Sequence, residues 1–363
     1  MDPVELLREA LGIYSPTTKE RPLALFLCRE MKALGYSSVR IDKAGNALGE
    51  IGEGDCRILL CGHMDTVPGE LPVRASEGYL FGRGASDAKS ALCSMLLAGS
   101  KAADAGARVT FAGATREEGD GLGIQSLVKS PRRVDFAVFG EPSGSNRVTI
   151  GYRGRFGVHM SLKTQGGHAG SPWAHVSAVD EFYSLLASLK SYEAELTVNG
   201  DHFRSLSITP TLVKAGSFHN VVPGECDATF DVRVPPGFSC ASVKASLERI
   251  LREVELKNPG STHLFDESTE PYEADSGSTL VRAFQRAILV KLGVRPMLVK
   301  KTGTGDMNTF AVSRPVQCVT YGPGDAKLSH TKDEKVSVED YTASIEVLAE
   351  AIRQVTALAR KSS

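Results

Sequence analysis

The sequence predicts an α/β fold interrupted by a smaller α+β sandwich, and three observations carry that prediction. The first 150 residues alternate helical and extended patterns, as sheets with crossover connections do. Near residue 153 the pattern changes to strand, helix, two strands, helix, strand, the order of a split βαβ sandwich. After about residue 270 the first signature returns. Surface connections tolerate insertions, so the two outer segments are expected to share one sheet.

Element by element, DPVELLREALGI and ERPLALFLCREMKALG repeat apolar residues at three and four and predict amphipathic helices. Strands follow at NALGEIG, RILLCGH, RVTFAGAT and DFAVFGE, and SDAKSALCSMLLAGSKAADAG predicts a helix capped by Ser86. RGRFGVHMSLKTQ alternates like a half-exposed strand, HVSAVDEFYSLLASLKSY is a helix, and SLSITPTLVKAG pairs with ECDATFDVRV as antiparallel strands. SCASVKASLERILREV and THLFDESTEP close that set. The final segment gives the helix SGSTLVRAFQRAILVKLG, the glycine-rich KTGTGDMN, the strand VQCVTYGPG and a long helix from about Val338.

A chain of 363 residues, 42% hydrophobic and 23% charged, suits a soluble globular protein with two sizeable cores. The net charge of −1 without a basic or acidic block gives no footprint for nucleic acid or a membrane surface. The apolar stretch ALFLC at 24–28 is too short for export or a membrane span, which places the chain in the cytoplasm. Seven cysteines scattered without CxxC spacing read as reduced thiols in or near the cores.

In CGHMDTV the extended chain projects His63 and Asp65 to one side, with the carboxylate beside the imidazole. That suits a metal ligand and the partner that fixes its tautomer, although a polar strand end carries the same pair. Asp87 follows two glycines at a helix start, where the dipole favours an anion, and its two oxygens can bridge two cations. It also reads as a plain helix-start acid. Glu117 and Glu118 in ATREEGDGLG point apart, which suits one ligand and one general base, or a solvated acidic turn. Glu141 ends the strand in FAVFGEPSG, and His330 lies in the polar loop GDAKLSHTKDE before the last helix.

Taken together, His63, Glu118 and Glu141 fall at strand ends and Asp87 at a helix start facing the same edge, where α/β domains collect ligands. Histidines and carboxylates without a thiolate suit zinc, or cobalt or manganese in its place. Cys61 is then strand core. Two ions sharing Asp87 would sit roughly 3.5 to 4 Å apart, polarising a carbonyl and generating hydroxide near neutral pH.

The blocks GHMDTVP, GRGASDAKS, TREEGDGLG, GEPSG, GGHAGSP and LSHTKDE, in this order over nearly the whole chain, resemble the co-catalytic zinc exopeptidases and deacylases. That family includes acetylornithine deacetylase, succinyl-diaminopimelate desuccinylase and aminoacylase. The resemblance implies a zinc-exopeptidase-like α/β/α catalytic domain at 1–153 and 270–363, with a ferredoxin-like lid and dimerisation domain inserted at 154–269. It implies one ion, Zn2+ or Co2+, on His63, Asp87 and Glu141, and a second on Asp87, Glu118 and His330. Glu117 is then the general base and Asp65 the partner of His63. It further implies a cis peptide between Asp87 and Ala88, a homodimer, and His168 and Asn220 as oxyanion donors, the histidine often reaching the other subunit's site. Arg153, Arg233 and the loop residues Gly303, Thr304, Asp306 and Asn308 take places that hold the substrate's carboxylate.

Within that family, the short chain, KTGTGDMN and GYRGR are most similar to hydrolases that free lysine or ornithine from a small acidic amino-group carrier protein in lysine and arginine biosynthesis. The bond cut is an amide between a glutamate side chain and the α-amino group. Gly305 stands where their usual loop has serine. Asp306 is expected to pair with the released residue's side-chain ammonium. Deacetylation of acetylornithine, removal of succinyl from diaminopimelate, and a metal-free relative without activity are the alternatives.

Overall fold

A computed structural model describes residues 2–362. Several of its helices begin on a capping side chain. Asp2 accepts the N–H of Val4 ahead of the helix Pro3–Gly12, with proline in the first turn. Ser177, Ser239 and Ser278 do the same for Ala178–Glu195, Cys240–Lys257 and Thr279–Leu292. The last of these closes on Gly293, whose φ of 67° lies in the left-handed region that glycine enters without strain. Ser86 is not the cap expected of it. The helix starts only at Lys89 with Ala88 before it, which leaves Ser86 too far back to cap that first turn. Its hydroxyl donates to the carbonyl of Asp325 instead, at 2.9 Å.

The chain divides into two compact units. One runs through Gly151, resumes over Ala274–Lys300 and again from Gly305. Its main sheet sets side by side the strands Ser37–Ile41, Ala47–Ile51, Ala107–Ala114, Cys56–His63, Phe136–Gly140, Gln317–Thr320 and Arg147–Tyr152. The third to sixth of these run parallel, and the flanking pairs are antiparallel. Register then fixes where chemistry can gather. His63 pairs with Ala114 and Gly62 with Gly140, so three parallel strands end level and their following turns leave one edge.

Alternation along these strands decides the core. A Cβ at Gly62 would lie 3.3 Å from Leu92, and one at Gly140 3.1 Å from Met95, so glycine lets the helix Lys89–Lys101 pack closely on the sheet. Leu60, Leu92 and Leu96 are fully buried there, and each such leucine contributes about 1.5–3 kcal/mol. A small sheet of Arg74–Ser76, Tyr79–Phe81 and Lys335–Ser337, absent from the sequence reading, pairs Lys335 with Phe81. It draws the segment after His330 against the segment before Asp87.

The other unit comprises Tyr152–Glu273 with Lys301–Thr304. Four antiparallel strands stand in the order Ser207–Ala215, Glu225–Val234, Gly154–Lys163 and Thr262–Phe265. Phe156, Val158, Met160 and Leu162 alternate inward and meet Phe182, Leu185 and Leu247 from the helices Ala178–Glu195 and Cys240–Lys257. All seven cysteines are free, and Cys61 is buried within its strand. No helix among the described residues is long and apolar enough to cross a membrane.

Candidate metal centre

His63 is the last residue of its strand, Glu117 and Glu118 follow the neighbouring strand, Glu141 follows the next, and Asp87 precedes the helix Lys89–Lys101. The structure gathers them with His330 into two groups: His63, Glu117 and Glu141, and Asp87, Glu118 and His330. Asp87 lies between the two imidazoles. Its Oδ1 is 3.3 Å from Nε2 of His63, and its Oδ2 is 3.4 Å from Nε2 of His330. Glu141 stands 3.7 Å from His63, and Glu118 is 2.7 Å from His330. The adjacent Glu117 and Glu118 therefore face different groups. The peptide Asp87–Ala88 is cis.

Charge crowding sets the proton affinities. Burial alone would lower His63, but the carboxylates of Asp65, Asp87 and Glu141 hold it well above the usual imidazole range. His330, hydrogen-bonded to Asp87 and facing Glu118, rises to about 9 against a smaller effect of burial. For Asp87, burial favours the neutral acid, yet the hydrogen bonds with both histidines hold its carboxyl far below the carboxylate range. Glu117 goes the other way. Burial, and then the nearby charge of Glu141, lift it well above an ordinary glutamate.

Asp65 does not meet His63 in the expected way. Nδ1 of His63 lies 2.8 Å from the main-chain carbonyl of Asp65, and 3.6 Å from its carboxylate. That carboxylate is already occupied, accepting the N–H groups of Glu117 and Glu118 at 3.0 and 3.1 Å and the hydroxyl of Thr17 at 2.9 Å. Asp65 thus fixes the backbone of the two glutamates as well as the ring of His63.

Two residues given no role from the sequence brace the same site. Glu334, buried, accepts the N–H groups of Gly84, Ser86 and Asp87 on one oxygen and pairs with Arg83 at 2.7 Å on the other. Arg83 also donates to the carbonyls of Thr331 and Gly69. Lys89, equally buried, donates to the carbonyls of Ala10 and Ile13 at the end of the first helix, and burial lowers its pKa to about 8. Glu334 and Lys89 lie four and two residues from His330 and Asp87, but nothing in the sequence marks either side chain as buried.

Asp306 begins the helix Asp306–Ser313. Burial pushes its carboxyl up to about 7, with His63 and Asp65 as its charged neighbours. Gly305 before it is extended, with φ −157°, and a Cβ there would lie 3.6 Å from Oε1 of Glu117. Serine therefore fits at this position. Asn308 is buried and its side-chain oxygen accepts the N–H of Gly305.

The remaining candidates belong to the second unit. Nδ1 of His168 accepts the N–H of Gly170 at 2.8 Å, so the neutral ring carries its proton on Nε2. Its strand pairs with the strand Val221–Val222, and the carbonyl of Asn220 accepts the N–H of Ala169. Arg153, buried, donates to the carbonyls of Thr302 and Ser205 and to the hydroxyl of Ser207. Thr304 joins it to Arg233, donating to the carbonyl of Arg153 at 3.0 Å and accepting from Arg233 at 3.2 Å. Gly303 is exposed beside them.

A protein of Sulfurisphaera tokodaii named LysW-lysine/LysW-ornithine hydrolase is 32% identical over 351 residues, covering 97% of this chain and 95% of the other. One of Deinococcus radiodurans named LysW-lysine hydrolase is 32% identical over 359 residues, covering 97% and 96%. Among solved structures, an M20 family metallo-carboxypeptidase from Sulfolobus solfataricus superposes with a TM-score of 0.82 at 18% identity, covering 98% of this chain and all of that one. A dinuclear metal-binding M20 peptidase from Bacillus subtilis gives 0.72 at 14%, covering 97% and 96%. These two show the fold. Residues 59–354 match the family described as peptidase family M20/M25/M40, and the chain belongs to that family.

Proposed function

We propose that this chain hydrolyses the amide joining lysine or ornithine to a glutamate side chain at the C-terminus of a small acidic carrier protein, releasing the amino acid for lysine or arginine biosynthesis. The hydrolytic part rests on one observation: Asp87 stands between two imidazoles while Glu117 and Glu118 turn to opposite groups. The choice of substrate rests on the names of relatives that match nearly end to end.

The donor set of imidazole nitrogen and carboxylate oxygen fits Zn2+, or Co2+ in its place. His63, Asp87 and Glu141 would hold one ion, and Asp87, Glu118 and His330 the other. Bound there, the ions supply Lewis acidity for the scissile carbonyl and acidify water. Glu117 takes the proton of the attacking water and delivers it to the departing α-amino nitrogen. Its raised affinity for a proton suits a group that must carry one between the two steps. His168 presents Nε2–H, and Asn220 its amide, to the developing oxyanion. Arg153, Arg233 and the loop residues Gly303, Thr304 and Asn308 orient the substrate's carboxylate. Asp306 faces the side-chain ammonium of the released residue. The inserted unit forms the dimer, and the reaction runs in the cytoplasm.

A hydrolysis panel tests this reading. Carrier-linked lysine, carrier-linked ornithine, acetylornithine and succinyl-diaminopimelate are each offered to the zinc- or cobalt-loaded protein. Turnover of the carrier-linked substrates well above the other two is expected. Preference for a small acyl substrate, or no turnover of any, would overturn it.

A further inference from the structure

The main sheet has a second face, and it carries a cavity that the proposed reaction does not use. Gly49, Gly62 and Gly113 approach Met31, Leu92 and Leu27 on one side, so Leu48, Leu59 and Thr110 point to the other. There, against the helices Leu122–Lys129 and Asp306–Ser313, opens a cavity of about 500 Å³. That is the size of a small-molecule site. Leu48, Leu59, Leu127 and Phe310 line it, and no proposed metal ligand or substrate residue does.

Its charge is one-sided. Arg40, Lys43, Lys129 and Arg132 line it against a single carboxylate, Asp42. Asp42 is turned into its own loop, accepting the N–H groups of Ala44 and Asn46, the side-chain amide of Asn46 and the hydroxyl of Ser126. Arg132 pairs with Glu50. No carboxylate among the described residues pairs with Arg40, Lys43 or Lys129, and all three are exposed at the rim. An apolar floor beneath unneutralised cations matches a ligand with an apolar body and an anionic head.

We propose that this cavity binds a small organic carboxylate with an apolar body, the body against Leu48, Leu59 and Phe310 and the carboxylate at Arg40 and Lys129. Such a ligand touches the strand that ends in His63 and the helix that begins at Asp306.

Calorimetric titration of the metal-loaded full chain tests the site with decanoate as probe, decanol as the uncharged control and succinate as the control without an apolar body. Decanoate is expected to saturate at one per chain, with decanol and succinate at least tenfold weaker. The double variant Arg40→Ala with Lys129→Ala should weaken decanoate at least tenfold while leaving Tm and metal content unchanged. Leu127→Asp, which places a negative charge in the wall, should abolish binding. Absence of saturable decanoate binding, equal binding of decanol, equal binding of succinate or an unaffected double variant would each overturn the proposal. A glutamate-rich hexapeptide binding more tightly than decanoate would also overturn it, by making the site a protein contact.

Discussion

Oε1 of Glu334 accepts the main-chain N–H of Asp87 at 3.0 Å, four residues past His330 in the chain. One buried carboxylate thereby ties the turn that carries Asp87 to the loop that carries His330, the proposed shared and terminal ligands. Glu334→Gln keeps an acceptor for the three N–H groups and loses the pair with Arg83. It is expected to weaken metal binding about 10- to 100-fold, the range for groups that orient ligands. Competition with a chelator measures it. Unchanged metal affinity together with a lowered Tm would leave Glu334 a role in stability alone.

Glu117→Gln should lower turnover by about 10²- to 10⁴-fold, the usual contribution of a positioned general base, with both ions still bound. Metal analysis beside kinetics separates the possibilities. Loss of an ion in this variant would make Glu117 a ligand, a reading its place beside His63 and Glu141 permits.

Asp87→Asn replaces one of two oxygens that face different histidines. The variant should hold about one ion fewer per chain, because an amide nitrogen cannot ligate in place of the lost oxygen. Retention of the full complement, measured by elemental analysis after dialysis, would rule out Asp87 as a bridge.

In the second unit, His263 sits 2.7 Å from Glu255 on one ring nitrogen and 2.7 Å from Glu248 on the other. Burial would lower its pKa, but the two hydrogen bonds prevail and raise it above 6.5. A raised folded-state value means that the native chain holds the proton more tightly. The stabilisation is therefore complete below the unfolded value of 6.5 and is lost as pH rises through the folded one. His263→Gln should lower Tm below pH 6.5 and converge on the parent as pH rises through the folded value. Parallel Tm curves across that range would discard the clamp.

Gly305→Ser should fold normally, since the backbone there is extended and the added Cβ meets Glu117 at ordinary contact distance. Its hydroxyl would come within reach of Oε1 of Glu117, favour the carboxylate form, and shift the acidic limb of the pH–rate profile downward. An unmoved limb would show that the hydroxyl points elsewhere.

The long elements were legible because they carry a period: the central strands are apolar runs bounded by glycine, and the helices repeat at three and four. Ligand-type residues were legible as positions because His63 ends a strand, Glu118 and Glu141 follow strands and Asp87 precedes a helix, whereas His330 stands in a polar loop. What escaped has no period to read. Tyr79–Phe81 and Lys335–Ser337 are three residues each and pair only with each other and Arg74–Ser76. Glu334 and Arg83 act on backbone N–H and carbonyl groups roughly 250 residues away, which leaves no spacing signature. The spacing of His63 and Asp65 was visible, but not that the main-chain oxygen of Asp65, not its carboxylate, lies nearest the ring.

The two histidines on either side of Asp87 have a consequence for how the protein is made. His63 leaves the ribosome well before His330, so the paired site cannot assemble until residue 330 has been made. The inserted unit, nearly all of it one continuous stretch, can fold well before that. A nascent chain stalled before residue 330 would thus carry a finished insert while the group of Asp87 and Glu118 still lacked its histidine.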